Sequence, residues 1–280
     1  MYALLRNVIA AVLLLTSVHA RREERLFYVP VRVAGHGPYW FCVDSGAYHT
    51  VIDPEIVKEL GLRVTGTTTT KGTGQGEVAV QRVAPLEMAV GTAKVTVAEP
   101  WVIDLRGTPL PKWVHGLVGA EFLEAYVVEL DSERSTMRFF DPATFLPPEH
   151  AVTLALEETD HRFFMQIKID VNASKTVERR VRIDTGSGDS VGDAIVGEGR
   201  DVRETTLGNG LGSNYKAVSG RFDAVHIGPF TVRNVWGPGT PFPTIGMEML
   251  RRFTVTFDVR RHAMYLQPNS HIGDAVPGPE

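Results

Sequence analysis

Cysteine is almost missing from this 280-residue chain: the single Cys42 excludes an internal disulfide and any zinc site built on paired thiolates. A metal centre on histidine is equally unsupported. No His-Glu-x-x-His run exists, and His36, His49, His115, His150, His161, His226 and His262 stand singly, so neither a metal nor a cofactor is expected. Excess positive charge is also lacking, with 29 Lys and Arg against 33 Asp and Glu, a net charge of −4. Without a basic stripe interleaved with aromatics, a nucleic-acid partner is not expected. Helix patterns are few and short, and the strand signals between Gly and Pro breaks point to an all-β chain.

The apolar stretch Val8 to Leu15 falls short of the roughly 18 to 20 residues that a membrane-crossing helix needs. With Arg6 before it and Val18-His19-Ala20 after it, residues 1–20 read as a signal peptide, and export to the periplasm or medium is expected. An uncleaved anchor is the alternative. Cleavage after Ala20 would leave only about six residues before the first strand. Over the whole sequence, 43% apolar and 22% charged residues describe a soluble chain with length for two lobes. The expected division is 21–145 and 146–268, broken near Pro147-Pro148, with 269–280 a loose tail.

What the sequence has is a duplication. Asp44-Ser45-Gly46 and Asp184-Thr185-Gly186 each follow an apolar run, Trp40 to Val43 and Val181 to Ile183. Upstream lie the strand-like segments Phe27 to Val33 and Phe163 to Ile169. Downstream come two glycine combs, Gly72, Gly74, Gly76 and Gly208, Gly210, Gly212, suited to mobile hairpin tips. Leu117-Val118-Gly119 and Thr244-Ile245-Gly246 follow, each leading to a strand that ends in Asp131 or Asp258. One Asp-[Ser/Thr]-Gly triplet arises by chance about 0.1 times in such a chain, so four elements recurring in one order outweigh the bland reading of Asp-Gly turns.

These residues resemble the aspartic peptidases, both the pepsin-like two-lobed enzymes and the retropepsin-like enzymes that dimerise, across most of residues 26–268. The resemblance implies a bilobal all-β fold, a catalytic pair Asp44 and Asp184, turns supported by Ser45, Gly46, Thr185, Gly186 and Ser187, and flaps at the combs. It implies a polypeptide substrate, no cofactor, and a monomer, since both motif sets lie in one chain. Lys71 stands where the pepsin-like flap has a Tyr, and Tyr48 and Gly188 replace small polar residues. Those departures leave an inactive peptide-binding protein as a rival reading.

Two carboxylates about 4 Å apart repel by roughly 4 kcal/mol at an effective dielectric near 20, so the pair holds one proton. Ser187 is expected to donate to Asp184 while Ala47 has nothing to give Asp44, which places that proton on Asp44. A third reading, a serine hydrolase at Ser190, comes from Gly188-Asp189-Ser190-Val191-Gly192, which matches the nucleophile elbow of those enzymes. An elbow must turn from a strand straight into a helix, and the β-like run Ala194 to Gly197 argues against it.

Overall fold

The computed structural model describes residues 13–72, 74–208 and 210–278. The first twelve residues of the expected leader lie outside them. The chain is all-β, in three sheets. Strands from Arg21–Glu23 to Val114–Val118 form a ten-stranded sheet, strands from Glu157–Thr159 to Thr244–Ile245 an eight-stranded one, and a six-stranded sheet is shared.

Among the described residues α-helix is confined to three short segments, Pro54–Glu59, Ala120–Ala125 and Met247–Leu250. The first follows local rules: Asp53 accepts from the Glu55 amide at 2.8 Å, Pro54 opens the helix, and Gly61 leaves it at φ +59°.

The shared sheet runs Leu14–His19, Thr136–Phe140, Val127–Asp131, Phe253–Asp258, Ala263–Pro268, Val152–Ala155. Its two ends are equivalent by register. Thr16 pairs with Phe139 as Val152 pairs with Leu266, and the amides of Ala20 and Leu156 donate to the carbonyls of Ser135 and His262. Those two acceptors share a left-handed conformation, φ +53° and +52°. Asp131 and Asp258 lock the same two turns, each with one oxygen on a turn amide and the other on an Arg, Arg134 or Arg261.

The expected cleavage point after Ala20 falls just past the first strand of this sheet. Leu14–His19, which begins at the last two residues of the apolar stretch, is an edge strand of the shared sheet, and Ala20 is buried. Cleavage after Ala20 would strip that strand away. The C-terminal segment also differs from a loose tail. Asn269 donates to the Arg252 carbonyl, and Val276 is buried in the core, because the segment lies along Thr231–Trp236.

One apolar cluster runs through both halves and contains Phe41, Phe122, Phe163, Phe222 and Phe257. Each such side chain contributes about 1.5 to 3 kcal/mol on burial. A smaller cluster, Val127, Phe140, Phe145, Ala263 and Tyr265, collects residues alternating with those of the main core, and so covers the opposite face of the shared sheet.

Candidate active site

Asp44 leaves the end of strand His36–Val43, whose Val43 pairs in parallel with Val118, and the Asp44 amide donates to the Val118 carbonyl at 3.0 Å. Asp184 is placed the same way. It leaves strand Lys175–Ile183, Ile183 pairs with Ile245, and the Asp184 amide donates to the Ile245 carbonyl at 2.9 Å. The apolar-apolar-Gly segments therefore hold both aspartates. Glycine is required there: a β-carbon on Gly119 would stand 2.8 Å from the Ala47 carbonyl oxygen, and one on Gly246 2.8 Å from that of Ser187.

The two motifs meet. The Ser45 amide donates to Thr185 Oγ1 at 2.9 Å and the Thr185 amide to Ser45 Oγ at 3.0 Å. Each hydroxyl then donates across the junction, Ser45 to the Ile183 carbonyl and Thr185 to the Val43 carbonyl, both at 2.8 Å. Each carboxylate sits over the other motif's glycine: a β-carbon on Gly46 would lie 2.8 Å from Asp184 Cγ, and one on Gly186 closer still to Asp44 Cγ. Any other residue at either glycine would displace the opposite acid.

The carboxylates differ in their donors. Asp44 Oδ1 accepts from the amides of Gly46 at 2.8 Å and Ala47 at 3.1 Å. Asp184 Oδ1 accepts from Gly186 at 3.2 Å, and its Oδ2 accepts from Arg182 Nη2 at 3.0 Å. Burial pushes Asp44 up to about 7, the Asp184 charge adds to the rise, and Arg182 with the two amides opposes it.

Ser187 takes no part in this, which corrects the expected donor: its hydroxyl pairs with the Asp189 carboxylate at 3.3 Å and accepts from the Asp189 amide. The Asp189 carboxyl is itself pushed up, mainly by desolvation.

Lys71 is exposed. The combs do more than cap their own hairpins, Val64–Thr70 with Val78–Val83 and Arg200–Leu207 with Tyr215–Ile227, because their tips are bonded to one another. Gln75 and Ser213 exchange two amide-to-carbonyl bonds of 2.8 Å, and the Gly74 amide donates to Leu211 at 2.8 Å. Gly72 faces Leu211, while Gly208 and Gly212 reach positive φ of +98° and +104° beside Gly74. Gly76, at φ +86°, has open space around it, and Gly210 lies in the second tip.

Sequence reasoning missed Arg182 and the part played by Tyr48. The Tyr48 hydroxyl meets Thr70 Oγ1 at 2.9 Å, its ring packs edge-on against Trp101, and the Arg162 guanidinium from the other half lies 4.3 Å over it. Tyr48 therefore links the loop after Asp44 to the tip end of the first hairpin. Ser190 is buried and donates to the Trp236 carbonyl, and the two-residue strand Val191–Gly192 follows it where an elbow needs a helix. Among the described residues one trio of potential metal donors, Glu124, Glu158 and His161, gathers at the surface, held by the ion pair of His161 with Glu124 at 2.6 Å.

Residues 29–122 match the family model for aspartyl proteases, a span that contains Asp44, the first comb and Gly119. No curated protein matches the chain. The match, together with the curled sheets, is consistent with an all-β aspartic protease fold and supports protease activity at a coarse level.

Proposed function

We propose that this protein is an aspartic endopeptidase, a two-lobed single chain in which each half supplies one carboxylate of a shared pair. The observation that carries the reading is the mutual seating of Asp44 and Asp184, each over the other's motif glycine and tied by the Ser45–Thr185 bonds. In hydrolysis the ionised carboxylate takes a proton from water as the water oxygen bonds to the scissile carbonyl carbon. The protonated carboxyl gives its proton to the carbonyl oxygen. The resulting diol returns a proton to the second carboxylate, the C–N bond breaks, and the first carboxyl protonates the leaving nitrogen. No cofactor and no second subunit enter this scheme.

An extended peptide would lie between the aspartates and the hairpin tips, adding a strand. Entry then requires the bonds between Gln75 and Ser213 to part. With Asp44 pushed up to about 7, activity is expected in acid solution and should fall as pH passes that value.

The test is cleavage of a denatured protein by the full chain over a pH series, with and without a statine inhibitor. Asp44→Asn and Asp184→Asn should abolish cleavage, statine should block it, and Ser190→Ala should retain it. Proteolysis persisting in either Asn variant would overturn the assignment. Statine binding without turnover in the wild-type chain would favour a peptide-binding role.

A further inference from the structure

The two halves repeat each other closely around the aspartates, yet one position breaks the repeat in kind. Two residues before Asp44 stands Cys42, and two residues before Asp184 stands Arg182. Residues two apart on a strand share a face, so Arg182 is carried to the same side as the carboxylate that follows. Its Nη2 donates to Asp184 Oδ2 at 3.0 Å, and the side chain is only 22% exposed. Cys42 cannot do the same for Asp44, because its thiol is fully buried and turned to the Val43 carbonyl.

We propose that Arg182 is a positioning residue that keeps Asp184 the ionised member of the pair and leaves the shared proton on Asp44. The competing donors decide the direction. Asp44 receives one more backbone amide than Asp184, but an amide brings only a partial charge, whereas Arg182 brings a hydrogen bond and a full positive charge to Asp184. An acid left with neutral donors, buried beside an anion, is the one that keeps the proton. The raised value of Asp44 agrees with this.

The other groups that bear on the pair do not supply the same bias. Cys42, its thiol pushed well up by burial, stays neutral. Asp189, from the loop after Gly186, is itself pushed up by desolvation and by the Asp184 charge, and Arg25, which opposes that rise, is engaged by Glu248. Arg182 is thus the cation placed to fix the asymmetry. In the hydrolytic step this makes Asp184 the base toward water and Asp44 the donor to the carbonyl oxygen, assignments that rest on the peptidase reading. The proton placement itself does not require turnover.

The experiment is a carbon-detected NMR titration of the aspartate carboxyls in wild-type, Arg182→Met and Arg182→Lys full-length chains, with resonances assigned through Asp44→Asn and Asp184→Asn. A pH profile of kcat/KM accompanies it. In the wild type the upper macroscopic step of the pair should appear on Asp44. Arg182→Met should move both steps, and both limbs of the activity profile, to higher pH by about one unit or more, and should spread the upper step over both carboxyls. Arg182→Lys keeps the charge and should titrate close to wild type. Superimposable titrations for wild type and Arg182→Met, or an upper step on Asp184 in the wild type, would sink the proposal while leaving the peptidase reading intact. Absence of cleavage with the asymmetric titration preserved would do the reverse.

Discussion

At the scale of single residues, Asp44 makes stability depend on pH in a calculable direction. Its carboxyl rises from 3.8 to about 7 on folding, so its contribution to stability is fully present below pH 3.8 and is lost as pH climbs through 7. Three pH units correspond to at most about 4 kcal/mol. Asp44→Asn removes the titration. In urea unfolding the variant is therefore expected to match wild type near pH 4 and to exceed it in stability near pH 8, by a margin that grows across the interval. Parallel curves for the two proteins would show that Asp44 carries no such penalty. The acids and the hydroxyls beside them were legible in the sequence because their triplets repeat. Arg182 was not, since an Arg between Val181 and Ile183 reads as the solvent side of a strand. Its spacing of two from Asp184 was the available signal.

At the scale of elements, the combs and the first edge strand show where local reading stops. Alternating glycines announced two hairpin tips, but tips that bond to each other involve contacts between residues more than a hundred positions apart, beyond any local pattern. A β-carbon on Gly74 would lie 2.7 Å from the Gly212 carbonyl carbon and 2.8 Å from the Ser213 carbonyl oxygen, backbone atoms that cannot swing aside. Gly74→Val is expected to part the tips. The amides of Gln75 and Ser213 should exchange with solvent faster, with the melting temperature nearly unchanged. Unaltered exchange at Ser213 would mean that the tips are independent. Leu14–His19 is a related case, since a short apolar run has the same composition in a leader and in a sheet strand. Its register is the mirror of that of Val152–Ala155. Deleting residues 1–20 is expected to expose the edge Thr136–Phe140 and to cause aggregation, read by light scattering. A deletion variant as soluble and as stable as the full chain would show that the strand is dispensable.

At the scale of the whole molecule, the repeated landmarks were legible because they recur along the sequence in one order. The shared sheet was less so: Val128 opposite Phe257 and Leu130 opposite Val255 are pairings that no local period encodes. That sheet and the Ser45–Thr185 bonds are what join the halves near the aspartates. The latter form a closed set in which every donor also serves the other side, so removing one hydroxyl strands two partners. Thr185→Val leaves the Ser45 amide and the Val43 carbonyl unpaired in a buried junction. Ser45→Ala does the same to the Thr185 amide and the Ile183 carbonyl. Buried groups left unsatisfied cost about 1 to 3 kcal/mol each, so either change should lower unfolding free energy by roughly 2 kcal/mol or more. The two sets hold the same pair of chain segments at one distance, and once the first is lost the junction relaxes. The double variant should then lose less than the sum of the singles, with a coupling of about 1 kcal/mol in a double-mutant cycle. Strict additivity would show that the hydroxyls act as independent turn supports. Because the same bonds fix how each acid sits over the opposite glycine, the coupled loss should be matched by a fall in kcat that exceeds any change in KM.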